Sequence, residues 1–135
     1  MATITPVRTI TYTVELDSIQ PSTPQFAGAR GDHNATRVIF VLPEELVKSA
    51  YIYRVEYVDD LQFHDTTGLL TVSDDQVYVD LIQAWTIHGG VGHLRLVVSE
   101  LTEQGEEQTI HSVTASIYFD ERDLRTETAA ATHLS

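Results

Sequence analysis

Apolar residues recur at every second position along most of this chain. From Thr9 to Leu16, Ile10, Tyr12, Val14 and Leu16 face one way, and Thr9, Thr11, Thr13 and Glu15 face the other. That is the period of a strand with one dry and one wet face. The same parity puts Tyr51, Tyr53, Val55 and Tyr57 on one side of a strand, with Ile52, Arg54 and Glu56 opposite. It also aligns Val77 with Val79 and Leu81, Leu94 with Leu96 and Val98, and Val113 with Ala115, Ile117 and Phe119. Leu61 to His64 reads as a short strand, and Gly68 to Val72 as another. Val38-Ile39-Phe40-Val41-Leu42 is apolar on both faces, which predicts a central strand covered on each side, with a partner subunit as one cover.

The breaks between these runs have turn chemistry. Gln20 to Gln25 contains two prolines and is expected to be loop. Asp59-Asp60 and Asp74-Asp75 mark turns, and Gln104-Gly105-Glu106 closes a hairpin onto Thr109 to Phe119. Pro43 followed by Glu44 and Glu45 favours a single helical turn, because the ring fits the first helical position and carboxylates suit the first turn. Leu81 and Trp85 are four apart, and Gly89-Gly90 would end a second short helix. Seven or eight short strands with one or two helical turns predict an all-β, immunoglobulin-like antiparallel β-sandwich over residues 1–119. From Asp120 the chain turns charged and then small and polar, so residues 120–135 read as a tail.

One corner stands out. Gly31-Asp32-His33-Asn34-Ala35-Thr36-Arg37 lies between Phe26-Ala27-Gly28 and the apolar strand Val38 to Leu42. Asp32 and Asn34 can bond nearby backbone, and Gly28 and Gly31 allow the positive dihedrals that a tight corner needs. Gly28, Gly31, Asp32, His33, Asn34, Thr36 and Arg37 are therefore candidate structural-loop residues.

Charge and composition narrow the function classes. The 135 residues carry 20 acidic and 8 basic side chains, a formal net charge of −12 that repels a phosphate backbone unless Arg30, Arg37 and Arg54 cluster. Nucleic acid is excluded as the expected partner. No apolar run reaches bilayer length, and Met1 to Pro6 lacks the pattern of a signal peptide, so neither membrane insertion nor secretion is expected. With no Cys there is no disulfide framework.

Each candidate chemistry has a plainer competitor. Six histidines (His33, His64, His88, His93, His111 and His133) invite a metal, but only His88 and His93 are close in sequence and nothing supplies a third ligand. No metal and no cofactor is expected. Asp59, Asp60, Asp65, Asp74 and Asp75 could meet at one end of the sandwich, yet they lack the spacing of a dedicated calcium loop. No Gly-x-Ser-x-Gly elbow exists, and the Asp32-His33 pair sits in a corner, so no catalytic residue is assigned. Trp85, Tyr51, Tyr53 and Tyr57 would serve a carbohydrate- or cell-surface-binding module as stacking platforms if they were exposed on one face.

The segment Phe26-Ala27-Gly28-Ala29-Arg30-Gly31-Asp32-His33-Asn34-Ala35-Thr36-Arg37, then Tyr51-Ile52-Tyr53-Arg54-Val55-Glu56, then Leu96-Val97-Val98, resembles the N-terminal domain of upper baseplate proteins of tailed phages of Gram-positive bacteria. The likeness runs from about Phe26 to Phe119, with Asp32 standing where the family's corner has Glu. Longer family members continue from the sandwich into a stalk and a host-binding tip, whereas a short polar tail is what is expected after the sandwich here. The resemblance implies a non-enzymatic virion structural protein, made in the host cytoplasm and assembled into a tail or baseplate. Its implied partners are other tail or baseplate proteins and copies of itself in a symmetric homo-oligomer. Expected contact elements are Val38, Phe40 and Leu42 of the apolar strand, the loop Gly28 to Thr36, and Leu124 in the tail.

Overall fold

The computed structural model describes residues 7–123. They form nine strands in two sheets, with almost no helix. Arg8–Val14 is β1, Ile19–Gln20 β2, Gln25–Arg30 β3, Thr36–Val41 β4, Tyr51–Asp59 β5, His64–Thr66 β6, Gln76–Asp80 β7, Val91–Leu101 β8 and Glu107–Asp123 β9. The first sheet has the order β2-β1-β4-β7, and the second β3-β9-β8-β5-β6. Two stacked sheets make the expected all-β sandwich.

The sheets are mixed, which corrects the expectation of purely antiparallel pairing. β1 runs parallel to β4 and β3 runs parallel to β9. The cause is the path between β1 and β4. The chain turns back as β2, passes the cis Gln20–Pro21 peptide, and changes sheets before β3. Proline lacks a backbone donor, so Pro21 and Pro24 free the chain from the first sheet's ladder. Alternation predicts strands but carries no information about partner direction. β3 has no signature in the sequence, because Ala27-Gly28-Ala29 presents no side-chain period.

Alternation did locate the core. Tyr12, Val38, Phe40, Val55, Tyr57, Val77, Leu94, Leu96, Val98 and Ile117 are buried between the sheets, as are Trp85 and Phe119. Leu16, 55% exposed, departs from the pattern because β1 ends at Val14 and the chain has already turned. Gly68 to Val72 is not a strand: it makes one isolated bridge, Tyr53 to Leu70, beside β5. The short strand lies at His64–Thr66, beginning three residues later than expected. A 3-10 turn, Glu44–Leu46, follows Pro43, and a one-turn helix, α1 (Gln83–Thr86), follows β7. β9 continues past Phe119 to Asp123, pairing Ala29 with Asp120 and Arg30 with Asp123. Leu124 and the rest of the expected tail lie outside the described residues.

Two pieces of the core give measurable expectations. Gly92 sits on β8 where an added Cβ would lie 2.5 Å from the Tyr57 ring, itself fully buried and stacked on Trp85 at 5.1 Å. That ring has nowhere to go. Gly92→Ala is expected to cost about 1–3 kcal/mol as overpacking, whereas Gly68→Ala, with nothing within 4 Å, should be close to neutral in the same urea titration. Burial also raises the Tyr12 pKa to about 12. It raises those of Tyr57 and Tyr53 as well, with Asp59 and Asp60 adding to the effect at Tyr57. The folded state then holds protons that the unfolded chain gives up near pH 10. This stabilisation is complete below pH 10 and is lost as pH rises toward 12, with a slope of about 1.4 kcal/mol per pH unit per fully shifted phenol. Urea midpoints measured from pH 9 to 12 should fall, while phenolate absorbance of the native protein shows only part of its tyrosines ionising.

Candidate functional site: the polar corner and the end of the sandwich around it

β3 ends at the edge of the second sheet and β4 begins in the middle of the first, so the corner between them changes layers. Its geometry follows from a few side chains. Asp32 Oδ2 accepts from Ala29 N at 3.1 Å, and Asp32 N donates to Ala29 O at 3.2 Å, closing the turn. Gly28 has φ +105, and a Cβ there would lie 2.5 Å from Arg8 Nη1 and 2.9 Å from Asp32 Oδ2, so both dihedral and space require glycine. Buried Thr36 donates its hydroxyl to Ala27 O at 2.7 Å and receives Arg8 Nη1 at 3.5 Å.

The corner is also fastened to the segment after β7. Gly31 N donates to Thr86 O at 3.3 Å, Asn34 N to Leu81 O at 3.0 Å, and the Thr86 hydroxyl to Asp32 O at 2.6 Å. Asn34 takes a left-handed φ of 56, a conformation its short polar side chain tolerates. His33 Nδ1 accepts from Gln83 N, at the start of α1, at 2.9 Å. The other ring nitrogen, Nε2, faces the Asn34 side-chain amide nitrogen 3.3 Å away. The His33 lone pair is committed to backbone and Asp32 is committed to the turn. This pair holds a shape and is not arranged as a base and its orienter.

Arg37 lies outside this knot, on the outer face of the first sheet. Its guanidinium grips Asp80 with two bonds, 2.8 and 3.1 Å, across the β4–β7 register, and lies 4.0 Å over the Tyr78 ring. The hydrogen bond to Asp80 raises the Arg37 pKa above its ordinary value. Both partners remain about 30% exposed, which limits the pair to roughly 0–1 kcal/mol.

Other candidates resolve less favourably. Trp85 (2% exposed), Tyr53 and Tyr57 are buried, and Tyr51 is only half-buried, so the expected stacking platform is core. Trp85 donates to Asp65 Oδ2 at 2.7 Å and stacks on Tyr57, closing the end of the sandwich. Val38, Phe40 and Leu42 point into the core and cannot meet a partner. Ile39 and Val41, of opposite parity, share the outer face with exposed Tyr78. The exposed aromatics elsewhere are Phe26 and Tyr118, 5.6 Å apart with Arg8 above Phe26, and the inward parity of Phe119 already placed Tyr118 outside.

The acidic turns and the histidines also separate. Asp59, Asp60 and Asp65 lie at the end holding the corner, whereas Asp74 and Asp75 lie at the opposite end, where β4 stops. Asp59 is buried, accepting from Leu61 N at 2.9 Å and Phe63 N at 3.0 Å, with His88 Nδ1 2.7 Å from its second oxygen. That last contact has the distance of an ion pair without the angle of a hydrogen bond. His93 turns away from His88, its Nδ1 3.0 Å from Ser116 Oγ and its Nε2 3.9 Å from Asp60. Ser, His and Asp thus stand in a row, but on the open outer face of the second sheet with the carboxylate 67% exposed and beyond hydrogen-bond reach. Among the described residues no group of three or more His, Asp or Glu is placed to hold a metal ion, and no helix is long and apolar enough to cross a membrane.

A sandwich of this form has a solved counterpart. The structure is similar to the N-terminal domain of ORF48 of phage TP901-1, with a TM-score of 0.59 over 84% of this chain and 99% of that one. The two share a fold. Their sequences are 9% identical, so the likeness is one of backbone path. No family model matches the chain, and no curated protein matches it in sequence.

The corner generates one stability prediction. Thr36→Val keeps the volume but strands the buried Ala27 carbonyl, and should cost about 1–3 kcal/mol in urea. Arg37→Ala, which breaks the half-exposed pair, should cost no more than about 1 kcal/mol. Equal costs for the two would show that the corner is not what holds the layers together.

Proposed function

We propose that this protein is a non-enzymatic virion structural module, built into a phage tail or baseplate as a symmetric homo-oligomer. The observation that carries the reading is the shared fold with the phage TP901-1 domain across nearly its whole length. It agrees with the resemblance in the Phe26 to Arg37 corner. The strand arrangement supports an immunoglobulin-like reading: β4 pairs β7 in one layer, β5, β8 and β9 pair in the other, and β3 adds in parallel to β9. The committed hydrogen bonds of Asp32 and His33 and the open setting of Ser116 and His93 support a structural role over a catalytic one. On this reading the protein is made in the host cytoplasm and resides in the virion beside other tail proteins.

Self-association uses the outer face of the first sheet. Ile39 and Val41 of β4 with Tyr78 of β7 make an apolar strip that a second copy can cover. The carbohydrate-binding alternative loses its platform, since three of its four aromatics are buried. Light scattering of the purified 15.1 kDa chain should give a small integer multiple of that mass, and Ile39→Lys should weaken assembly by at least tenfold. A chain that stays monomeric at high concentration and joins no tail protein on co-expression would overturn the reading.

A further inference from the structure

The end of the sandwich opposite the corner holds an apolar groove of about 420 Å³. Val47, Tyr51, Leu70 and Val72 line it, with Lys48 and Thr71 at its margins. It exists because the bridge from Tyr53 to Leu70 lays the irregular segment after β6 alongside the start of β5, without a full strand to close the gap. The Tyr53 hydroxyl, donating to Leu46 O at 2.7 Å, fixes the groove's floor against the 3-10 turn.

The surroundings of this groove carry one sign of charge. Exposed Glu44 and Glu45 lie in the 3-10 turn that leads into Val47. Exposed Asp74 and Asp75 form the turn just after Val72, and Asp75 O receives Leu42 N at 2.8 Å, which brings that turn to the end of β4. Glu100 faces Tyr51 in the β5–β8 register, and the hairpin that follows exposes Glu103 and Glu106. Against these, Lys48 is the cation on the groove, its ammonium 5.5 Å from the Tyr51 ring. Among the described residues, Arg37, Arg54 and Arg95 are spent on pairs with Asp80, Glu107 and Glu56. The low-dielectric groove and its acidic rim therefore present negative potential that the single charge of Lys48 offsets only in part.

We propose that this groove is the docking site for a basic, amphipathic segment of a different protein, which places one or two apolar side chains in the groove and Lys or Arg on the rim. Charge decides the occupant. A second copy of this chain would bring an equally acidic end and be repelled. Anionic polymers, nucleic acid included, are disfavoured for the same reason. The proposal rests on the structural-module reading for the partner's setting, a neighbouring tail protein. The self-contact through Ile39, Val41 and Tyr78 lies on a different face, so both contacts can be made at once.

The test titrates the full chain with a fluorescent peptide alternating Leu and Lys at helical spacing, in low and physiological salt. Two variants probe the site: Glu44→Lys with Asp74→Lys reverses the rim, and Thr71→Trp fills the groove. Asp17→Lys with Asp60→Lys makes the same change in net charge at residues that line neither the groove nor its rim. The rim and groove variants should each weaken binding at least tenfold, and the control by less than twofold. Equal loss in rim variant and control would mean bulk attraction and overturn the proposal, as would full binding to a groove-filled protein. If Thr71→Trp fails to fold, the rim variant against its control still decides. Co-expression with the neighbouring tail proteins separates the two readings. Wild-type assembly that the rim variant leaves intact overturns the docking site while the structural role stands. Selective peptide binding without any tail association leaves the docking site standing and sinks the role.

Discussion

The bond from the Thr36 hydroxyl to the Ala27 carbonyl joins the two layers at the point where the chain passes from one to the other. Everything downstream inherits its geometry. β3 must reach the edge of the second sheet in parallel with β9, and after five intervening residues β4 must start in the centre of the first sheet, in parallel with β1. A buried hydroxyl that gives its proton to a buried carbonyl leaves little freedom in that step. Gly28 and Asp32 shape the turn, and Thr86 and Leu81 receive its remaining donors, so the corner and the segment around α1 form one rigid polar unit over the end of the core.

The other end is built from different material. Where the corner is stitched by hydrogen bonds, the far end is closed incompletely, by one isolated bridge and a 3-10 turn, with exposed carboxylates in the turns around it. Asp59 and Asp80 show how the protein treats acids at the stitched end: one caps a turn from a buried position, and the other grips Arg37. Glu44, Asp74 and Glu103 have no such employment. One end of the molecule spends its polar groups on the fold, and the other leaves them facing outward.

The outer faces of the two sheets differ in the same way. That of the second sheet is laced with Arg54–Glu107, Arg95–Glu56 and the His93–Ser116 contact, a solvated surface that discourages stacking. The first sheet shows Ile39, Val41 and Tyr78 with one ion pair beside them. A strand apolar on both faces therefore stands where only one face is covered by the core.

The sequence alone determined which residues are inside on most strands, because a period of two assigns sides wherever a strand exists. Tyr53, Val55 and Tyr57, Val77 and Val79, Leu94 and Leu96, and Ile117 and Phe119 all went where alternation sends them. It also marked the corner, since Gly, Asp and Asn in that order have few other uses beside a strand. What only the tertiary structure decided is everything that depends on a neighbour distant in sequence. Parallel pairing of β1 with β4, the existence of β3, which face of β4 is free, and the sealing of Trp85 beneath Asp65 and Tyr57 are of this kind. Local pattern encodes a residue's side of its own strand. Which strand lies beside it, and what covers it, is settled by packing energy summed over the whole chain.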